Sequence, residues 1–483
     1  MPIFTPGRRW QPAFLPFKHE SVAHQALATV ELAIKGPLFG CRMCGNCLLQ
    51  ETAFICPMEC PKGLRNGPCG GSTAAHCYVD ESRPCIWYRI YERSFKMKRE
   101  ERLLEVLPPL DWEKAGTETW GDVTGQVKKI GLKKVASGLA KAESRQETWE
   151  SVFKPVRQPD WWQGDDQYHA PAYTEPISAL ERRLRAGEFV VTAEVAPPMT
   201  AKTDKMCKNI ELVREHVAAV NFTDSPSATP RMSSWACSAL AVQNGVEPVM
   251  QIAARDRTRV GLQGEVLGAS ALGIRNILCL SGDSMILSGK PRGRMDVFDL
   301  DAIQMLWILR RMRDEGRYLD GRELKTRPQF FLGAAGAPFA SEPKFQALRE
   351  QKKVNAGAQF FQTNLVFDAE RLDDWLNELS KRGILNKVFI LIGITPLKSF
   401  KMAHFMHEQV PGVVIPQVLL KRMEQADAAG NAAEEGVQIA LELIEKIKRK
   451  TGVSGLHLMA VGWEEIVPRI VSEAGLGKKV ETV

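Results

Sequence analysis

The sequence predicts an α/β chain: a (β/α)8 TIM barrel preceded by a small cysteine-rich module and an irregular arm. Three observations predict it. From about residue 176, short apolar runs rich in β-branched and aromatic residues alternate with amphipathic stretches, as strands and helices do in parallel α/β folds. Eight of the eleven cysteines fall between Cys41 and Cys85. The stretch between these two regions is rich in Trp, Pro and charge and shows no such alternation. The boundaries this gives are 1–95 for the module, 96–175 for the arm and 176–483 for the barrel.

At 483 residues the chain is too long for one ordinary domain. Its 44% apolar and 25% charged residues are those of a globular protein in water. No apolar run approaches the roughly 18 residues of a membrane-spanning helix. The opening MPIFTPGRRWQPAF has neither an apolar signal core nor a cleavage pattern, so a cytoplasmic location is expected. The net charge of +7 is mild and its basic residues are interleaved with acids. That suits an anionic small ligand and argues against nucleic acid. The run Lys128, Lys129, Lys133 and Lys134 reads as a solvated helix face.

The expected strands, in order, are Phe189–Val195, Ala218–Thr223, Pro248–Ala253, Asn276–Leu280, Phe330–Ala335, Gln359–Thr363, Val388–Ile394 and Leu456–Ala460. The expected helices between them are Thr203–His216, Ser233–Asn244, Arg257–Ala271, Ala302–Glu315, Glu342–Ala356, Ala369–Arg382 and Ala432–Thr451, with Glu464–Ala474 closing the set. Such a series makes a barrel whose site lies at the C-terminal ends of the strands. A doubly wound open sheet is the alternative, but no G-x-G-x-x-G follows the first strand. A helical pattern is also expected over Ser94–Val106, where the arm begins.

Polar residues at strand ends are the candidate chemistry. Glu194 ends the first strand inside an apolar run, and a buried acid can hold a proton near neutrality, as a general acid must. A structural acid paired with a Lys or Arg is the other reading. The second strand runs out to Thr223 and the fourth to Ser281, Gly282 and Asp283, where glycine lets backbone approach a ligand beside a carboxylate. A plain turn would also explain the latter. The sixth follows Lys353 and a Gly357 helix cap and exits through Thr363 and Asn364.

The module cysteines are Cys41, Cys44, Cys47, Cys56, Cys60, Cys69, Cys77 and Cys85. In a cytosolic chain such a cluster reads as metal ligation rather than disulfides. The opening C-x2-C-x2-C lets three thiolates reach three irons of one [4Fe–4S] cluster. Eight thiolates fit two clusters, or one cluster and a zinc site, although the later spacings lack the paired C-x2-C of structural zinc.

The ordered segments TAEVAPP, AAVNFTDSP, the strand before Arg255-Asp256-Arg257, GIRNILCLSGD, KKVNAGAQFFQTN, GITPLKSFK and Val413–Pro416 resemble methylenetetrahydrofolate reductases over about Gly187–Ala474. The resemblance implies a barrel that holds FAD, or FMN, at its mouth, with folate stacked on the flavin. It makes Glu194 the general acid and places Asp283 near flavin and pterin. It puts Thr223, Gln251, Ser281, Gly282, Asp283 and Lys353 at cofactor-contacting positions, with Lys353 near the phosphates. Asn364 sits where the family usually has the Gln that binds the pterin. Gly36–Tyr91 similarly looks like the cysteine-rich accessory subunit of acetogen-type members, which implies an electron-transfer partner or a structural contact with one.

The function so implied is interconversion of 5,10-methylene- and 5-methyltetrahydrofolate by hydride transfer through flavin, with NAD(P)H or another redox partner, in a homo-oligomer. The alternatives are a folate-binding docking subunit in a one-carbon complex and a flavin-free reductase using nicotinamide directly. A zinc-thiolate methyltransferase barrel does not fit, because Cys207, Cys237 and Cys279 fall on expected helices or mid-strand. The spaced Trp112, Trp120, Trp149, Trp161 and Trp162 of the arm are expected to pack on a neighbouring domain.

Overall fold

The computed structural model describes residues 21–121, 161–283, 298–410, 412–460 and 462–476. Eight parallel strands close into one barrel in sequence order. They are β1 (Val190–Glu194), β2 (Ala219–Phe222), β3 (Pro248–Ala253), β4 (Asn276–Leu280), β5 (Phe331–Gly336), β6 (Phe360–Leu365), β7 (Phe389–Ile394) and β8 (Gly455–Leu458). All eight expected runs are strands. The ring closes where Val190 pairs with Gly455 and Thr192 with His457.

Ahead of the barrel lie α1 (Val22–Phe39) and α2 (Ile86–Lys96). Helix α3 (Ala179–Arg185) leads into β1. The crossovers carry α4 (Asp204–Val213), α5 (Ser234–Gln243), α6 (Arg259–Ala271), α7 (Ala302–Asp314), α8 (Pro343–Asn355) and α9 (Arg371–Lys381). After β7 come α10 (Phe400–Gln409), α11 (Gln417–Ala428) and α12 (Ala432–Ile447). The closing segment is a 3-10 turn, Glu464–Ile466, followed by α13 (Val467–Glu473).

Helices α1, α10 and α11 escape the periodicity for a physical reason. Helix α10 buries only Ala403 and α11 only Leu420 and Met423, so their apolar stripes are thin. Helix α1 buries Ala28, Glu31 and Lys35, two of them charged. The helix expected over Ser94–Val106 is displaced. Helix α2 ends at Lys96, Lys98 takes a left-handed φ of 53°, and a 3-10 turn follows at Glu100–Leu104. The apolar residues of that turn, Leu103 and Leu104, pack with Trp87, Tyr91 and Phe345 rather than extending a helix. The run Lys128–Lys134, Trp149 and the residues from Ser284 to Val297 lie outside the described residues.

Alternate residues of each strand face the barrel interior. At the N-terminal end that interior is apolar, built from Val190, Ala219, Val249, Leu278 and Leu391 around stacked Phe331 and Phe360 rings, 4.8 Å apart. Gly333 makes room for this stack, since a Cβ there would stand 2.3 Å from the Phe360 ring. Two residues further along the same parity the filling turns polar. Gln362 Nε2 donates to Thr192 Oγ1 and to Asn221 Oδ1, each at 3.0 Å, and Asn221 Nδ2 donates back to Gln362 Oε1. Pairing with each other satisfies amides that burial removes from bulk water. The apolar plug thus closes one end and leaves the polar end open.

The cysteine module docks on the barrel between β4 and α8. Asp301 caps α7 in a capping box and also accepts from Arg65 N and Asn66 Nδ2. Phe298 N donates to Lys62 O, and Gln346 Nε2 donates to the Tyr88 hydroxyl. From the arm, Trp162 is buried, donates to Val106 O and packs near Trp307. Trp112 remains partly exposed and donates to Asp299.

Candidate active site

The open end of the barrel holds a cavity of about 360 Å³, in the range of small-molecule sites. Glu194, Thr223, Gln251, Ser281, Gly282, Asp283, Lys353 and Asn364 all line it, so the structure brings every barrel residue singled out from sequence into one place. The first three share strand parity with the interior plug, two or four residues past Val190, Ala219 and Val249, and Asn364 lies where β6 shifts register between Gln362 and Leu365.

Glu194 is 9% exposed. Burial raises its carboxyl to about 7, repulsion from Glu464 adds to this, and Arg231 pulls the other way. Its nearest cationic candidate is His457, whose Nε2 lies 4.0 Å from the carboxylate. This is no ion pair near neutral pH: burial lowers the imidazole to about 3, so His457 is neutral there. The ring is held by Thr192, whose Oγ1 lies 3.0 Å from Nδ1. Burial and Glu464 outweigh Arg231, so the acid stays partly protonated near neutral pH.

Asp283 follows Gly282, which has φ +80° and whose Cβ, if present, would stand 3.0 Å from Ala253 and 3.1 Å from Arg255. Its carboxylate is fixed from two sides. Ser227 N donates to Oδ2 at 2.7 Å and the Tyr78 hydroxyl to Oδ1 at 3.3 Å. Lys353 is buried, pairs with Glu350 and donates to Ala335 O. Burial lowers its ammonium to about 8, with Arg349 acting the same way and Glu350 opposing. Asp224 is held by Ala253 N and by Arg257, which also grips Glu265, so the Arg255-Asp256-Arg257 segment braces the rim.

The module cysteines sort into two quartets. Cys41, Cys44, Cys47 and Cys56 wall one small cavity; Cys60, Cys69, Cys77 and Cys85 wall another. All eight are free thiols. Burial pushes Cys41 and Cys85 up to about 12 and Cys60 to about 11. At Cys69 burial acts the same way, but Lys62, the Ser72 hydroxyl and Arg349 outweigh it and hold the thiol below its ordinary value. Among the described residues no group of three or more His, Cys, Asp or Glu forms a site for a single metal ion. Cys207 and Cys237 lie on α4 and α5 and Cys279 on β4, away from both quartets.

Sequence reasoning missed Gln362 and His457, which share the inward parity of Phe360 and Thr192 and could have been found by it. It also missed Lys62, Gly70, Gly71 and Tyr78, which reach the barrel cavity from the module.

The sequence model of the family described as methylenetetrahydrofolate reductase matches residues 179–475. The chain belongs to this family. A second model, described as methylene-tetrahydrofolate reductase C terminal, matches residues 21–113, which precede the barrel here. Methylenetetrahydrofolate reductase 1 of Schizosaccharomyces pombe is 25% identical over 48% of this chain and 36% of its own length. The 5,10-methylenetetrahydrofolate reductase of Salmonella typhimurium is 24% identical over 60% of this chain and 92% of its own. The chain spans about a third of the length of the first of these reductases and nearly all of the second. A solved Clostridium thermocellum protein, titled as binding two copies of 5-methyl-5,6,7,8-tetrahydrofolic acid, overlays with a TM-score of 0.44 at 16% identity, covering 61% of this chain and 98% of that one.

Proposed function

We propose that the chain interconverts 5,10-methylene- and 5-methyltetrahydrofolate at the barrel mouth, with a flavin bound there and with Glu194 as proton donor. The observation that carries this is the state of Glu194: a carboxyl raised to about 7, buried at the end of β1, in the one cavity that gathers the family's site positions. The residues present fit a flavin. Gly282 leaves room for close backbone approach, amides and a small apolar strand-end surface line the walls, and Lys353, buried and paired with Glu350, lines the cavity as well. A bound flavin would supply the hydride exchanged with the one-carbon unit.

The chain's own part is protonation and position. Glu194 holds its proton on a carboxyl oxygen and delivers it to a folate nitrogen, which opens the five-membered ring and leaves an iminium carbon. In the reverse direction the same carboxylate takes the proton back. Asp283, oriented by Ser227 and Tyr78, presents fixed acceptors to the N–H groups of a pterin edge.

The two quartets support a reading in which the module holds iron–sulfur clusters. Four thiolates around each of two cavities match the ligand count of a [4Fe–4S] cluster, and the opening C-x2-C-x2-C has the spacing that carries three of its ligands. Flavin, iron, acid-labile sulfide and zinc are to be quantified together in anaerobically purified protein, and turnover followed with methylenetetrahydrofolate. Flavin with iron and sulfide, and turnover, is the expected result. Zinc without iron would overturn the cluster reading. Absence of flavin with turnover from a nicotinamide would overturn the flavin reading and leave the folate chemistry.

A further inference from the structure

Part of the wall of the barrel cavity comes from the cysteine module. Lys62, Gly70, Gly71 and Tyr78 line the cavity beside the strand ends. Each stands one or two residues after a cysteine of the second quartet: Lys62 after Cys60, Gly70 and Gly71 after Cys69, Tyr78 after Cys77. Cys69 and Lys62 line the barrel cavity and the second thiol cavity at once. No cysteine of the first quartet lines the barrel cavity among the described residues.

This wall has little regular structure to hold it. Neither helix nor strand occurs from Cys60 to Cys85, and its internal backbone bonds are isolated turn and loop-closing bonds, such as Gly63 N to Cys60 O and Cys77 N to Arg83 O. Ordering such a segment costs backbone entropy that no ladder offsets. Four thiolates tied to one group do offset it, as in small metal-folded domains. The wall meets the barrel at the end of β4. Lys62 Nζ donates to Gly282 O at 2.9 Å and sits 5.1 Å from the Tyr78 ring centre, while the Tyr78 hydroxyl donates to Asp283. Tyr78 and Ser227 take one oxygen each of that carboxylate, so Tyr78 sets which way the acid points. A carboxylate held in one plane recognises adjacent N–H donors, as on a pterin ring.

Resting on the reading above, in which the second quartet holds a cluster and the barrel binds folate, we propose that the two form one composite site. Lys62 and Tyr78 are folate-pocket residues that loading of the second quartet holds in place. Affinity for tetrahydrofolates therefore depends on Cys60, Cys69, Cys77 and Cys85, and not on Cys41, Cys44, Cys47 and Cys56.

The test uses the full chain, handled anaerobically. Calorimetric titration gives the Kd for 5-methyltetrahydrofolate, iron and sulfide are assayed in the same samples, and circular dichroism follows barrel melting. Cys77→Ser is expected to lose iron and to weaken folate binding about tenfold or more, and Cys47→Ser to lose iron with Kd held within about twofold. Tyr78→Phe is expected to keep its iron and bind folate about tenfold more weakly, through loss of one hydrogen bond to a charged group. It keeps every thiol, so it decides the matter even where Cys77→Ser fails to fold. Iron lost from Cys77→Ser with unchanged Kd, or an unchanged Kd in Tyr78→Phe, overturns the proposal. A wild-type chain that holds no iron or binds no folate overturns the underlying reading, and that shows before any variant is compared.

Discussion

Replacing Glu194 by Gln keeps the shape of the side chain and removes the proton the chemistry needs. Two effects follow, and both are read against pH. In catalysis, loss of a positioned general acid costs about 10²–10⁴-fold in turnover. With a carboxyl near 7, the wild-type rate in the direction that consumes methylenetetrahydrofolate should fall about tenfold per pH unit above neutrality. The opposite direction should fall below neutrality, because it needs the carboxylate. In stability, the folded chain keeps the Glu194 proton up to about pH 7, whereas the unfolded chain releases it near 4.5. Between these values the folded state binds more protons, so wild-type stability declines as pH rises across that window. A shift of this size is worth about 3 kcal/mol once pH exceeds 7. Glu194→Gln should lack that slope, so the difference between the two proteins grows from pH 4.5 to 7 and is flat above. Stopped-flow turnover and urea unfolding, each over pH 5–9, measure the two effects. A variant that turns over within about threefold of wild type, or that keeps the same pH slope in unfolding, would refute the general-acid assignment and the burial argument respectively.

Other substitutions test the frame around the site. Gln362→Leu leaves the Asn221 amide and the Thr192 hydroxyl short of partners inside the barrel and should cost about 1–3 kcal/mol in urea unfolding. Gly333→Ala puts a Cβ 2.3 Å from the Phe360 ring and should cost about 1–3 kcal/mol by overpacking, seen as a lower melting temperature. Asp301→Ala removes the α7 capping box and the acceptor for Arg65 and Asn66 together. It should destabilise by about 2 kcal/mol or more and raise protease cleavage within residues 60–85. An unchanged cleavage pattern would show that the module is held by other contacts.

The barrel was legible because its strands carry their own signal. Each is a short apolar run, and the inward parity that sets Val190 and Phe360 in the plug carries Glu194 and Gln362 toward the open end. The thinly buried α10 and α11 lacked such a signal, since a helix that hides one or two residues leaves no stripe to read. Helix α1 was hidden differently: its inward face holds Glu31 and Lys35, which pair with each other and with Thr119. The cysteines were visible as a cluster, but their sorting into quartets needed the fold. The contact of Lys62 with Gly282 spans 220 residues of sequence and has no local pattern at either end. The composite wall therefore came only from the structure.

The docking of the module has a consequence for how the chain is made. Everything that receives it, from Gly282 through Phe298 and Asp301 to Phe345, is translated after Cys85. At the usual elongation rate of about 5–20 residues per second, roughly ten to fifty seconds separate the emergence of Cys85 from that of Phe345. During that interval all eight thiols are outside the ribosome with no barrel to cover them. In that interval the thiols stand open to oxidation or to ligation, and the barrel then closes against a part already made.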